Sequence, residues 1–307
     1  MTDVVLVTGA AGFIGVPTTR ALLARGATVV ALDNFAVGSR ERLAGLGGLL
    51  TVEEVDLRES SRLRRVVAST QPMAVVHLAA HHFIPFCIAH PAETIEVNVL
   101  GTQCLLDALV DASPRRLVFA STADVYAPSL QPHAEDDEIG PPNVYGVSKA
   151  AAEWLCQFHM GEDILWIARL FNVYGRGETN PHVLPHILDS IANSNTIPLG
   201  NVSPRRDYVF VNDVAEVLAW AALEAPEPAV VNIGSGRSWS VEELVDQLRA
   251  LTGRPLKIEV DQERIRTNDR PNLQSVNGRL LDAVPELQLT DLESGLRRTV
   301  DTVTAPP

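Results

Sequence analysis

Short runs that are apolar at every position alternate with stretches of helical periodicity through the first half of the chain. Residues 4–7, Val-Val-Leu-Val, show no polar alternation, the pattern of a strand buried on both faces of a parallel sheet. A helical pattern follows to about Arg25, and a second apolar run, 28–32, ends in Asp33. Comparable runs at 50–55, 74–78 and 116–120 are separated by further helical segments. Strands alternating with helices at this spacing predict βαβ units in a doubly wound parallel sheet. Residues 92–111 read as one helix with apolar positions on more than one face, suited to packing between the sheet and a second subunit. After Gly175 the rhythm changes to turn residues, a helix from about Pro185 to Asn193, and a short strand before a helix opened by Asp213. Residues 230–233 form a strand expected to rejoin the first sheet. The expected fold is therefore α/β: a first domain over 1–170, with that returning strand, and a smaller, partly interleaved domain over 171–307.

Composition narrows what such a chain binds. Its 307 residues are 46% hydrophobic and 21% charged, ordinary for a globular protein. A net charge of −13 argues against a broad nucleic-acid or anionic-membrane surface, so an anionic ligand has to be met by locally placed Arg or backbone amides. Cys87, Cys104 and Cys156 have neither metal-ligand nor disulfide spacing, which fits a reducing compartment. The first residues lack a basic leader, and no apolar stretch reaches the ~18 residues of a membrane span. The expectation is a soluble, cytoplasmic protein.

Two stretches carry candidate chemistry. The first strand runs straight into Gly9-Ala-Ala-Gly12-Phe13-Ile14-Gly15 and then a helix, the context in which a Gly-x-x-Gly-x-x-Gly turn binds a dinucleotide. Gly9 permits the turn, Gly12 lets a pyrophosphate approach, and Gly15 lets helix and strand pack closely. Asp33, at the end of the second strand, is placed to accept from ribose hydroxyls and would repel a 2′-phosphate, favouring NAD over NADP; as a bland alternative it caps the following turn. The second stretch is Tyr145-Gly-Val-Ser-Lys149. On a helix, residues four apart share a face, and a nearby ammonium favours a phenolate. Of 25 basic residues only Lys149 and Lys257 are lysines, so a tunable cation is kept here where Arg is used almost everywhere else. His81 and His82 read as hydrogen-bonded loop residues, and with no second ligand cluster beside them no metal site is expected. The acidic run 135–138 reads as a solvated loop.

Together these motifs resemble the extended short-chain dehydrogenase/reductases, specifically the NAD-dependent nucleotide-sugar epimerase/dehydratase branch with its UDP-galactose and UDP-glucuronate 4-epimerases. The resemblance runs from the glycine turn through His77-Leu78-Ala79-Ala80, Asn98-Val-x-Gly-Thr102, Ser121-Thr122-x-x-Val-Tyr126 and Tyr145-x-x-x-Lys149. It continues in Arg169-Leu-Phe-Asn172-Val-Tyr-Gly175, Arg206-Asp-Tyr-Val-x-Val-x-Asp213 and Asn232-Ile-Gly-Ser-Gly236. It implies a Rossmann-type NAD-binding domain followed by a nucleotide-sugar-binding domain. The implied NAD contacts are Gly9, Gly12, Phe13, Ile14, Gly15, Asp33, Asn34, Asp56, Leu57, Leu78, Ala79, Ala80 and Asn98, with Tyr145 and Lys149. Thr122 would hold the reacting hydroxyl, Tyr145 would exchange its proton, and Lys149 would bridge the nicotinamide ribose and lower the phenol's pKa. Asn172, Arg206 and Arg266 would meet the sugar nucleotide's diphosphate, and Asp269 its ribose. A homodimer through the helices over 92–111 and 144–160 is implied in the same way.

The reaction turns on the two residues after Thr122. Dehydratases of the branch carry Asp-Glu there; this chain has Ala123-Asp124, and Ala cannot donate a proton for loss of a 6-hydroxyl. A small residue at 123 is similar to the 4-epimerases, so the expected activity is 4-epimerisation of a UDP-hexose or UDP-hexuronic acid through a 4-keto intermediate. Asp124 departs from that pattern and leaves a dehydratase or decarboxylase using it as an extra base as the alternative, with a turn-capping role equally open. Ala127 departs as well, standing where the family usually has Gly. Leu273, at the position that gates sugar size, decides nothing. A non-catalytic NAD-binding regulator is the remaining possibility, against which Tyr145 and Lys149 both stand intact.

Overall fold

A computed structural model describes residues 3–161, 163–178, 180–264 and 270–300. The apolar runs form β1 (Val4–Thr8), β2 (Thr28–Asp33), β3 (Leu50–Glu54), β4 (Ala74–His77) and β5 (Arg116–Thr122). Between them lie α1 (Gly15–Ala24), α2 (Ser60–Thr70), α3 (Ile84–Ala89), α4 (Pro91–Ile95) and α5 (Gly101–Leu109). Then come α6 (Val144–Met160), β6 (Leu165–Leu170), β7 (Asn172–Tyr174), α7 (Val183–Asn193), β8 (Thr196–Leu199) and β9 (Arg205–Phe210). The chain continues through α8 (Val211–Leu223), β10 (Ala229–Ile233), β11 (Ser238–Ser240), α9 (Val241–Thr252), β12 (Lys257–Val260), β13 (Asn272–Leu273), α10 (Gly278–Ala283) and α11 (Leu292–Val300).

Seven strands pair in the order β10-β6-β5-β4-β1-β2-β3, every pair parallel. Alternate side chains of each strand enter different cores, which is why the runs are apolar throughout. Val5, Val7, Val29 and Val118 pack with α1 and α8 on one face. Leu6, Val30, Leu117 and Phe119 pack with α2, α5 and α6 on the other. The return to this sheet is larger than the single strand expected from sequence, since α8 comes back with β10 and lies against α1. A third core joins α7, β8, β9, α9 and α11. Among the described residues no helix is long and apolar enough to cross a membrane.

The expected continuous helix over 92–111 is interrupted. Glu96–Leu100 winds as a π-helix between α4 and α5. Such single wide turns inside α-helices are rare and frequent at functional sites; this one carries Asn98, which is fully buried.

Candidate functional site

The carboxyl ends of β1, β2, β4 and β5 open into a cleft of about 1190 Å³ shared with the second half of the chain, the position where open parallel sheets bind ligands. Its floor begins at the glycine turn. Gly9 takes φ +69°, and a Cβ there would lie 2.8 Å from the Ala79 nitrogen. A Cβ on Gly15 would lie 2.1 Å from the Gly9 carbonyl oxygen, so neither position admits a side chain. α1 starts at Ile14 without a side-chain cap, and Gly12, Phe13, Ile14 and Gly15 line the cleft. An uncapped helix N-terminus on a cleft presents free amides and the positive dipole end to an anion.

Asp33 is buried and accepts from the Ala11 nitrogen (2.9 Å) and the Phe35 nitrogen (2.8 Å). It thus caps its own turn and tethers the glycine loop while still lining the cleft; with lone pairs to spare, the ribose reading and the capping reading are compatible. Asp56 accepts from the Asn34 amide and the Arg58 guanidinium at 2.8–2.9 Å, and the Arg58 bonds above all hold its carboxyl well below the usual range. Asn34, Asp56, Leu57, Leu78, Ala79 and Ala80 all border the cleft.

Asn98 stands behind that wall. Its side chain accepts from the His81 nitrogen (2.7 Å) and donates to the His81 carbonyl (2.8 Å) and the Ser148 hydroxyl (2.9 Å). It braces the turn after β4 against α6, so its influence on a ligand is through those neighbours. A buried chain that the sequence reading did not single out runs beside it: Thr8 Oγ1 to His77 Nδ1 (2.7 Å) and His77 Nε2 to Thr102 Oγ1 (2.9 Å). Burial, and then the charge of Lys149, push His77 down to about 3, so the imidazole is neutral and serves as a rigid spacer.

Across the cleft, Asn143 caps α6 by accepting from the Gly146 nitrogen (2.9 Å). The helix presses its first turn onto residues 123–125: a Cβ on Gly146 would lie 2.2 Å from the Asp124 carbonyl oxygen. That contact sets Tyr145 beside Thr122, close enough for the threonine hydroxyl to act on the phenol. Gly146→Ala is expected to lose about 1–3 kcal/mol by overpacking, with a matching fall in activity as Tyr145 moves off Thr122. Urea unfolding and turnover measured together would check this; unchanged stability would show that the approach is looser than the geometry indicates.

Burial pushes the Tyr145 phenol up and the Thr122 hydrogen bond opposes it. Lys149 is also buried, its ammonium 4.1 Å from the centre of the Phe119 ring. Desolvation lowers it to about 8. The unfolded lysine titrates near ~10.5, so between those values the unfolded chain carries a proton that the folded chain lacks, and stability rises with pH across the window. Stripped of cofactor, a Lys149→Met variant should therefore gain most over the parent below pH ~8 and lose that advantage toward pH ~10. Melting curves over that range test the sign; an advantage that grows with pH would refute it.

Asp124 borders the cleft beside Thr122, but its carboxylate is held by Arg270, Nη1 to Oδ1 3.4 Å. Arg270 is buried and donates as well to the carbonyls of Tyr126 (2.8 Å), Ala127 (3.0 Å) and Ala123 (3.3 Å). Burial raises the Asp124 carboxyl against the lowering pull of Arg270 and Arg206. Arg206, Asn172 and Leu273 line the same end. Arg266 and Asp269 lie outside the described residues. Ala127 fits where Gly was expected because Gly140 faces it; a Cβ on Gly140 would lie 2.9 Å from that of Ala127.

The uncapped turn of α1, the bare Gly12 and the carboxylates at the ends of β2 and β3 together fit a dinucleotide laid across the sheet. Residues 5–234 match the model of the NAD dependent epimerase/dehydratase family. A UDP-glucose 4-epimerase of Corynebacterium glutamicum is 32% identical over 282 residues, covering 84% of this chain and 83% of that protein. The solved UDP-glucose 4-epimerase of Thermus thermophilus, in complex with NAD, superposes with a TM-score of 0.86 at 30% identity, covering 98% of both chains. TunA, an NAD-dependent NDP-hexosamine 5,6-dehydratase of tunicamycin biosynthesis, reaches 0.87 at 29% identity, over 98% of this chain and 97% of its own.

Proposed function

This chain belongs to the NAD dependent epimerase/dehydratase family, and from that premise we propose that it is a nucleotide-sugar 4-epimerase acting on a UDP-hexose or UDP-hexuronic acid through a transient 4-keto intermediate. The observation that carries this reading is that Thr122 and Tyr145 stand beside each other on the cleft wall, with Ala123 as the next residue. Ala123 is buried against Val125, Tyr126 and Ala150 and offers no acid to a departing 6-hydroxyl.

NAD, held along the glycine turn and Asp33, would supply reversible hydride transfer at C4. The chain's own residues do the rest. Thr122 holds the C4 oxygen, Tyr145 removes its proton as the C–H bond breaks and returns it after the keto sugar has turned, and Lys149 supplies the nearby cation. Arg206, Arg266 and Asn172 hold the diphosphate and Asp269 the ribose, so the sugar rotates while its anchor stays fixed. Bidentate guanidinium is the apt partner for phosphate in an otherwise acidic protein.

A second reading follows from Asp124. A carboxyl raised by burial beside the reacting pair is what an additional acid/base needs, and the likeness to TunA supports a dehydratase that uses it at C5; a decarboxylase would call on it in the same way. NMR of the products from a panel of UDP-, GDP- and dTDP-sugars separates the three. A C4 epimer without net NADH supports the epimerase; an unsaturated, 4-keto-6-deoxy or pentose product would replace it.

The same proposal takes the enzyme as a cytoplasmic homodimer. Its three cysteines are unbonded. Trp154 (60% exposed) and Phe158 (85%) on α6 lie on the helices that the family resemblance assigns to the interface, as does the exposed Leu100.

A further inference from the structure

His82 follows β4, and the sequence gives it no partner nearby. The fold brings it to a segment almost a hundred residues on. The ligand atoms of His82, Glu178 and His182 lie within 4.8 Å of one another, at the cleft between the turn after β4 and the segment joining β7 to α7. The two imidazoles stack, centroids 5.9 Å apart at 26°, and the edge of Phe83 fixes His182 from the side at 5.4 Å. The Asn180 side-chain nitrogen donates to His82 Nε2 (3.1 Å), while the His82 ring also bonds to the Ala80 backbone. With the ring proton on the carbonyl side, the Nε2 lone pair accepts from the Asn180 amide, and an ion taken up on that nitrogen would displace the amide. With the amide displaced, the ring would stand as metal-bound histidines do, one nitrogen on a carbonyl and the other on the ion.

We propose that His82, Glu178 and His182 form a binding site for a transition-metal dication of the zinc class, tying the segment before α7 to the turn after β4. Two imidazole nitrogens and one carboxylate oxygen suit zinc or cobalt, whereas calcium and magnesium prefer all-oxygen sets. Three protein ligands leave a fourth position for water or a substrate oxygen. A tetrahedral ion with bonds of about 2.0–2.2 Å needs its ligands roughly 3.3 Å apart, so small rotamer shifts complete the site. The opposite anchor is in place already: Arg42 donates to the Gly177 carbonyl (2.7 Å), holding the segment down next to Glu178.

Zinc chloride titrated calorimetrically into the full-length, chelator-treated protein with its NAD retained is expected to show one saturable site. His82→Ala, His182→Ala and Glu178→Gln should each weaken it by at least about ten-fold, since even outer-shell partners are worth that much. His90→Ala, which alters an exposed histidine outside the group, should leave it intact. Cobalt in place of zinc should give the visible spectrum of a four-coordinate ion, lost in the same three variants. Circular dichroism without metal confirms that each variant is folded, and Glu178→Gln keeps the test valid if a histidine variant is not. Absence of saturable binding, or binding that survives the paired His82 and His182 substitutions, overturns the proposal.

Discussion

Tyr145→Phe is expected to lower turnover by about 10²–10⁴-fold, the range that a positioned acid/base supplies, while the protein still carries NAD. The substitution removes one oxygen and keeps the ring. Gly146 against the Asp124 carbonyl and Asn143 at the helix cap continue to place α6, so the variant should fold and melt like its parent. What it loses is the phenol beside Thr122, the group proposed to pass a proton to and from a sugar oxygen. Burial holds the Tyr145 phenol above its ordinary pKa, whereas catalysis near neutrality needs it lower. Within the chain the opposing influence is Thr122; the positive charge of bound oxidised nicotinamide would add to it. The check is single-turnover NMR on the epimerised sugar together with the NAD released on denaturation. A variant within ten-fold of the parent would mean that another residue moves the proton; one that loses its NAD would mean that Tyr145 is chiefly a cofactor contact.

Local signals in this chain are strong where one element makes the feature. The strands are legible because both faces of the sheet are buried, so each run is apolar throughout, and the glycine turn is legible because three steric demands fall within seven residues. Tyr145 and Lys149 are legible because a helix brings i and i+4 together. Features assembled across the fold leave no such trace. Arg270 lies 146 residues from Asp124, and nothing near either position marks the other. His82 gains Glu178 and His182 only when the segment before α7 folds over the cleft, which is why a lone loop histidine reads as structural. The π-helical turn at Glu96–Leu100 escapes for a different reason. Its periodicity differs from that of an α-helix over a single turn, and the inward demand of Asn98 is met by His81 and Ser148 from other elements.

Arg270→Met should be the most destabilising single change at the site, at about 3–5 kcal/mol, because it strands a buried carboxylate. The guanidinium is 7% exposed. Besides Asp124 it satisfies the carbonyls of Ala123, Tyr126 and Ala127, which form the turn carrying Thr122 into the cleft. Asp124→Asn should cost less, since Arg270 keeps those three acceptors and the amide oxygen remains a fourth. The double variant removes both charges and should be less destabilised than the sum of the singles, with a coupling well above the ~0.5 kcal/mol within which independent sites add. Urea unfolding of the four proteins measures it, and simple additivity would show that the pair does not act as a unit. Product analysis of the folded Asp124→Asn protein then separates the two readings of the reaction. If Asp124 only anchors Arg270, the C4 epimer still forms at a rate set by how well Thr122 is held. If it is a base at C5, the product that needs C5 deprotonation disappears while the exchange of hydride with NAD continues.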